Sequence, residues 1–340
     1  MEFELALSFD DVLLKPQYFS GTSRSEIDIG FYLKDFYFQI PIIAANMPSV
    51  CGADMAIAMA RMGGLGIIHR MQSIKDQAAD VEFTKSTLNL MEGYSPPVAA
   101  AVGIGEDWKQ RVGFLMDARV DILCIDVAHG AQSKVLQVVS EFRKNYPNFP
   151  LIAGNIASLN GVSGLNVNAL KVGVGGGSVC TTRIKTGCGV PTFQSILDCS
   201  NTEFPRFLIA DGGMKNSGDI VKALAAGANA VMLGSLLAGT DEAPGEVIKG
   251  TDGKKYKIYR GAASYGAKKK FFGKAEYIEG EETLVPYRGS VIDVVSKLCE
   301  GIRSGLSYCG SRNLKQLREN AKFVRISPAG YRESKAHGLL

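Results

Sequence analysis

Eight short apolar segments recur between residues 42 and 233, and each is bounded by Gly, Pro or Asp. Their apolar character is continuous rather than alternating, which is typical of parallel strands buried on both faces. The predicted strands are Ile42–Ala45, Leu65–His69, Val98–Gly103, Ile122–Val127, Leu151–Ile156, Ala169–Val174, Phe207–Ala210 and Ala230–Leu233.

Amphipathic segments between these strands predict helices. One helix face follows the i, i+3, i+4, i+7 spacing through Val135, Val138, Val139 and Phe142. Ser217 is predicted to cap another helix, which runs to Ala226 and is closed by Gly227. Eight strands with helical crossovers favour a closed (β/α)₈ barrel over an open sheet.

Two segments lie outside this alternation. Residues 1–40 precede the first strand and predict a short lead-in strand pair. Residues 241–290 form a long excursion after the eighth strand, with little periodicity, and predict a mobile active-site flap. The whole chain, residues 1–340, is therefore expected to be a single catalytic domain.

Composition excludes several classes of protein. The net charge is only +4 and no basic stripe is present, which argues against nucleic-acid binding. No apolar stretch is long enough for a membrane span, and the N-terminus does not resemble a signal peptide. The seven cysteines form no CxxC pair and there are only three histidines, so we expect free thiols in a reducing cytoplasm.

The segment Gly173–Arg183, after the sixth strand, is rich in glycine and contains Cys180. Glycines allow close approach of the backbone to a ligand or ion, and donors at the end of such a loop can activate a thiol as a nucleophile. A buried structural cysteine beside a tight turn is the alternative. The glycine-rich setting and the hydroxyls of Thr181 and Thr182 favour the functional interpretation.

Two further segments match the phosphate site that barrels build after strands seven and eight. Asp211–Gly213 follows the seventh strand and Gly234-Ser235 follows the eighth. Asp211 is also a candidate acceptor for ribose hydroxyls, and ordinary turn chemistry is the alternative for each segment.

Other polar residues stand at the ends of predicted strands. Asp126 is interpreted as a contact to a cofactor ribose or nicotinamide, with helix capping as the alternative. Asn46 and His69 are candidates for the pocket wall, whereas His129 is interpreted as an ordinary loop residue.

Several motifs together resemble the IMP dehydrogenase/GMP reductase family, from about Leu7 to about Arg325. The matching segments are Ser8–Leu14, Ala44–Met47, Gly175–Arg183, Asp211–Gly213 and Tyr259–Gly261. The resemblance implies a tetrameric barrel, a cysteine that attacks purine C2, and a monovalent cation such as K⁺, held by the cysteine loop.

The resemblance also assigns roles by position. The catalytic residues are Cys180, Thr182 and Glu279. The substrate-binding residues are Ser178, Asp211, Gly212, Gly213, Gly234, Ser235, Tyr259, Gly261, Ala262 and Ala263. The cofactor-binding residues are Ser23, Arg24, Arg70, Asp126, Val127, Ala128 and Gly175. The cation ligands are Gly175, Gly177, Cys180 and Arg183.

Features of both branches of the family are present. A Lys at position 185, the segment Ser23–Glu26 and the flap sequence Ala275–Tyr277 resemble reductases, and Glu276 stands where dehydrogenases carry a water-activating Arg. Only a helix-length connection separates strands two and three, where dehydrogenases usually insert a regulatory domain pair. Met232–Glu246 resembles dehydrogenases instead.

Pro48 and the pair Ala262-Ala263 depart from the residues usual in both branches. We expect from the flap an NADPH-dependent conversion of GMP to IMP and ammonia. The alternatives are an IMP dehydrogenase without regulatory domains, a catalytically silent nucleotide-binding regulator, and a flavin-dependent barrel oxidoreductase.

Overall fold

A computed structural model describes residues 3–90, 95–160, 162, 164–201, 207–266, 269 and 278–335. The lead-in segment contains β1 (Val12–Leu14) and an antiparallel pair, β2 (Phe31–Leu33) and β3 (Phe36–Phe38). The predicted lead-in strand pair is confirmed by β2 and β3.

The eight predicted strands form one closed parallel barrel. With their helices, they are β4 (Ile42–Ala44), α1 (Ala53–Arg61), β5 (Leu65–Ile68), α2 (Ile74–Leu88), β6 (Ala99–Val102), α3 (Trp108–Asp117), β7 (Ile122–Asp126), α4 (Ser133–Asn145), β8 (Leu151–Ile156), β9 (Ala169–Val172), α5 (Thr182–Thr186), α6 (Thr192–Ser200), β10 (Phe207–Asp211), α7 (Ser217–Ala225) and β11 (Ala230–Leu233). The barrel closes where β11 pairs with β4, with Val231 opposite Ile42.

The helices cover the barrel with the faces that the spacing predicts. Helix α4 buries the predicted residues Val135, Val138, Val139 and Phe142. The predicted cap of α7 is wrong by one residue, because Asn216 is the cap and its side chain accepts from the backbone N–H of Asp219 at 3.0 Å. Ser217 is already helical, and the adjacent Asn and Ser are both residue types that favour the cap position.

The segment predicted as an irregular flap contains an antiparallel sheet of β12 (Ile248–Lys249), β13 (Lys255–Arg260) and β14 (Glu282–Pro286). Its alternation is hidden in the sequence because one of the inward residues is Lys257, which is buried. The Lys257 ammonium donates to the backbone carbonyl of Thr240 at 3.0 Å and to that of Ala243.

The last elements are α8 (Val291–Tyr308), α9 (Leu314–Asn320), β15 (Phe323–Arg325) and α10 (Pro328–Glu333). Strand β15 pairs antiparallel with β1, so both lie outside the barrel. No helix in the described part of the chain is both long and apolar enough to cross a bilayer.

Candidate active site

The carboxyl ends of the barrel strands surround a cavity of about 440 Å³. This is the end of a barrel where active sites are built. The cavity collects most of the residues predicted from the sequence, namely Arg70, Asp126, Val127, Ala128, Gly175, Gly177, Ser178, Cys180, Thr182, Asp211, Gly212, Gly213, Gly234, Ser235, Tyr259, Gly261, Ala262, Ala263 and Glu279. Asn46 also lines it.

A chain of hydrogen bonds starts at the candidate nucleophile. Cys180 is half-buried, and its thiol donates to the Thr182 hydroxyl at 3.1 Å. That hydroxyl donates in turn to Oε2 of Glu279 at 2.8 Å. The arrangement gives a thiol proton a path through one hydroxyl to a carboxylate, which is the geometry of general acid–base catalysis.

Backbone hydrogen bonds hold the two ends of this path together. The N–H of Thr181 donates to the carbonyl of Glu279, and the N–H of Glu281 donates to the carbonyl of Val179, both at 2.9 Å. On its other side, the N–H of Glu279 donates to the carbonyl of Ala263 at 3.2 Å. We call these three segments, residues 179–181, 261–264 and 279–281, the cysteine ladder.

Gly280 lies at the centre of the cysteine ladder and was not identified from the sequence. It bridges to Cys180 on one side and to Ser264 on the other. A Cβ at this position would lie 3.0 Å from the backbone nitrogen of Ser264, so a larger residue would push the segments apart. Its only sequence signal is a glycine next to the candidate acid, because the close approach is set by tertiary structure.

Glycines bring the predicted phosphate loops close together. Gly212 and Gly213 both have φ near +88°, a left-handed conformation that favours glycine. A Cβ on Gly212 would lie 3.1 Å from the backbone nitrogen of Gly177. The loops after β9 and β10 are therefore in contact, and both line the cavity.

Tyr259 forms part of the same wall with Gly234. Burial raises the pKa of the Tyr259 phenol to about 12, so the hydroxyl keeps its proton at neutral pH and can donate a hydrogen bond. A Cβ on Gly234 would lie 2.6 Å from this hydroxyl. The position of the tyrosine therefore depends on the absence of a side chain at residue 234.

Lys171, in the middle of β9, was not identified from the sequence. Its side chain is 2% exposed, and its ammonium donates to Asp126, to Oδ2 of Asp211 at 3.2 Å and to Oδ1 of Asn46 at 3.5 Å. The available signal was a lysine inside an otherwise apolar strand, where a charge is costly unless it is paired.

Asn155, in β8, is a second polar residue that the apolar pattern concealed. Its amide donates to Oδ2 of Asp211 at 2.8 Å and to the carbonyl of Gly173 at 2.9 Å. Asp211 therefore receives two donors on the same oxygen, while a fifth of its side chain remains exposed. An oriented, partly exposed carboxylate suits the binding of vicinal hydroxyls.

Asp126 lies in the cavity, and the alternative role as a helix cap is wrong. Helix α4 has Gln132 as its cap residue, six positions further along the chain. Burial opposes ionisation of Asp126, but the charges of Lys171 and Arg70 outweigh it and hold the pKa of the carboxyl below its usual value. An ionised acceptor therefore stands on the β7 side of the cavity.

Three of the residues assigned to the cofactor or the cation, Ser23, Arg24 and Arg183, do not line the cavity. Arg24 lies in a short 3₁₀ turn that follows Ser23, and its guanidinium is 5.9 Å from the ring centre of Tyr308. The Arg183 guanidinium donates to the carbonyl of Val190 at 2.8 Å. A Cβ on Gly175 would lie 2.7 Å from Cγ of Arg183, so this side chain supports the cysteine loop from behind.

His69 and the flap motif are the remaining candidates from the sequence. His69 is buried outside the cavity lining, and its Nδ1 accepts from the N–H of Met71 at 3.1 Å. The flap residues Ala275–Tyr277 lie outside the described residues. Among the residues that the structure does describe, no cluster of three or more His, Cys, Asp or Glu side chains could hold a metal ion.

Comparison with known proteins agrees with this geometry. Residues 6–337 match the family model for the IMP dehydrogenase / GMP reductase domain. The chain belongs to this family. Its members are oxidoreductases that use a nicotinamide cofactor, and the predicted family and barrel are confirmed.

Relatives of both branches are similar to the chain. It is 37% identical to inosine-5'-monophosphate dehydrogenase from Aquifex aeolicus, over 98% of the chain and 95% of the relative. It is 34% identical to the dehydrogenase from Nitrosopumilus maritimus, with full coverage of both. Among solved structures, a cysteine-to-alanine variant of GMP reductase from Trypanosoma brucei, in complex with GMP, has a TM-score of 0.91, 30% identity and 99% coverage of both chains.

Proposed function

We propose that the protein is a GMP reductase, which converts GMP, NADPH and two protons to IMP, ammonium and NADP⁺. The observation that carries the proposal is the hydrogen-bonded path from Cys180 through Thr182 to Glu279. A carboxylate at the end of such a path can hold the thiol proton and return it to a leaving group. Reductive deamination requires this return, because an amine is a poor leaving group without a proton.

The proposed reaction starts with the nucleophile. Cys180 loses its proton through Thr182 to Glu279, and its sulfur forms a bond to C2 of GMP while the electron pair of the C2=N3 double bond moves to N3. Glu279 then returns the proton through Thr182 to the 2-amino group. The C2–N bond breaks, ammonia departs and a thioimidate on Cys180 remains. After C2 has been reduced, the C–S bond breaks and IMP is released.

The nucleotide is held by the groups that surround Cys180. Ser178, Gly213, Gly234 and Ser235 line the cavity together and supply the phosphate site of the proposal. Asp211 accepts from the ribose hydroxyls, and Tyr259 donates from its position beside Gly234. Gly261, Ala262 and Ala263, which belong to the cysteine ladder, line the cavity and serve the base.

The residues on the β7 side of the cavity fit a nicotinamide riboside. Asp126 is an ionised acceptor for its hydroxyl or amide donors, and Arg70, Val127 and Ala128 complete this wall. When bound there, the reduced nicotinamide supplies hydride to C2. Ser23 and Arg24 lie away from this cavity, so in the proposal they contact the adenosine end of a cofactor bound to a neighbouring subunit.

Other parts of the proposal depend on the family. It includes a homotetramer in the cytoplasm and a monovalent cation bound by backbone oxygens of Gly175, Gly177, Cys180 and Arg183. Carbonyl oxygens are hard ligands that suit an alkali cation. It also includes a single catalytic domain without a regulatory pair between β5 and β6. The alignment with the Aquifex relative runs over 469 positions, so that protein has segments without a counterpart among the 340 residues here.

IMP dehydrogenase is the second candidate, because the curated relatives named above are dehydrogenases. One experiment separates the two. The protein is incubated with GMP and NADPH, scoring IMP and ammonia, and in parallel with IMP and NAD⁺, scoring xanthosine monophosphate. The reductase proposal expects turnover in the first mixture. Sustained turnover in the second mixture alone would refute it and establish the dehydrogenase.

A further inference from the structure

Lys171 connects two carboxylates that the proposed function assigns to different ligands. Asp211 ends β10 and faces the nucleotide, whereas Asp126 ends β7 and faces the cofactor. The Lys171 ammonium lies within hydrogen-bonding distance of both, and Asn46 completes its surroundings. The lysine itself is 2% exposed, whereas the two aspartates are 20% and 18% exposed.

The charges in this cluster depend on one another. Burial alone would lower the pKa of Lys171, but the carboxylates of Asp126 and Asp211 outweigh burial and raise it, so the ammonium stays charged. Two carboxylates that share a site without a cation do not both ionise readily. Arg70 is a further cation near Asp126, and the nearby thiol of Cys124 has its pKa raised to about 12 by burial and stays neutral.

We propose that Lys171 is a positioning residue that holds the carboxylates of Asp126 and Asp211 side by side, so that one buried ammonium prepares both the nucleotide and the cofactor halves of the cavity. The assignment of the two halves rests on the proposed function. Lys171 acts through the carboxylates, since its own hydrogen bonds are made to them and to Asn46. Its removal should therefore matter mainly because it leaves two negative charges facing each other.

A double-variant comparison tests this mechanism. Binding of IMP is measured by titration calorimetry for the wild type, Lys171→Met, Asp126→Asn and the combination of the two. IMP is the probe because both candidate reactions share it, and no turnover is needed. We expect Lys171→Met to weaken IMP binding by about 10- to 100-fold. This factor corresponds to the loss of one charge-assisted hydrogen bond between Asp211 and the ribose of IMP. In the Asp126→Asn background, Lys171→Met should weaken IMP binding by less than about fivefold, because the repulsion between residues 126 and 211 is already relieved.

Lys85→Met is the matched control. Lys85 is also a largely buried lysine, and it pairs with Asp121 at 2.6 Å just before β7, at the opposite end of the barrel from the cavity. Its substitution should leave IMP affinity unchanged. Thermal melting of each variant reports whether it is folded.

Folding and IMP binding of the variants decide between the possible roles of Lys171. If Lys171→Met alone fails to fold while the double variant folds and binds IMP, the proposal is supported, because removal of one charge has relieved the repulsion. Equal losses in both backgrounds, or a double variant that binds no IMP, would overturn it. A wild type that binds no IMP would refute the proposed function, and this proposal with it.

Discussion

Replacing Glu279 with Gln tests the proton path that carries the proposed function. Gln has the same shape and can still accept from the Thr182 hydroxyl, which lies 2.8 Å from Oε2 of Glu279. It cannot carry a proton to the amine. General acid help is worth about 10²- to 10⁴-fold, or about 3 to 5 kcal/mol of barrier, so GMP-dependent oxidation of NADPH should fall by that factor.

The size of the rate loss in Glu279→Gln shows whether Glu279 transfers a proton or only orients Thr182. If Glu279 only orients Thr182, exchanging a charged acceptor for a neutral one should cost about 1 kcal/mol, or roughly fivefold in rate. Glu281→Gln is the control, because Glu281 bonds the cysteine loop through its backbone and its side chain is exposed.

The assay follows NADPH absorbance and ammonia release, and compares NADPH with its deuterated form. We expect the isotope effect on kcat to shrink in Glu279→Gln, since deamination becomes slower than hydride transfer. A rate loss below about tenfold, with an unchanged isotope effect, would refute the role of Glu279 as the acid.

Three further predictions follow from the site. Cys180→Ala should abolish turnover yet retain GMP binding in calorimetry, whereas Cys188→Ala should be mild; turnover within tenfold of the parent would remove Cys180 from the mechanism. Gly234→Ala should raise the KM for GMP by displacing Tyr259, whose hydroxyl would lie 2.6 Å from the new Cβ, and an unchanged KM would contradict a phosphate site there. At pH 8, iodoacetamide should label Cys180 and the exposed Cys188, read by mass spectrometry, while burial raises the pKa of Cys124 and of Cys199 to about 12 and protects them. GMP should then protect Cys180 alone; equal labelling of Cys180 with and without GMP would be inconsistent with the site.

The barrel was predictable because the buried parallel strands are apolar along nearly their whole length, and the eight segments correspond to β4–β11. The candidate site followed from a general property of barrels, that ligands bind at the carboxyl ends of the strands. Cys180, Asp211 and Gly234 could be located from that property alone.

The missed residues share a physical cause. Lys171 and Asn155 each stand alone as a polar residue in an otherwise apolar strand, so the pattern does not mark them. Their role depends on hydrogen bonds to Asp211, which is distant in the sequence. Lys257 concealed the alternation of β13 in the same way. Gly280 was missed because the lack of space for a Cβ arises only when distant segments meet.

The cysteine ladder links the candidate nucleophile and the proposed acid through backbone hydrogen bonds, although Cys180 and Glu279 are about a hundred positions apart in the chain. A motion that admits substrate or releases product by shifting the cysteine loop must carry residues 279–281 with it. The proton path is then transported intact rather than dismantled and rebuilt in each catalytic cycle. The rate at which the site opens can therefore change while the hydrogen bonds that join Cys180, Thr182 and Glu279 stay in place.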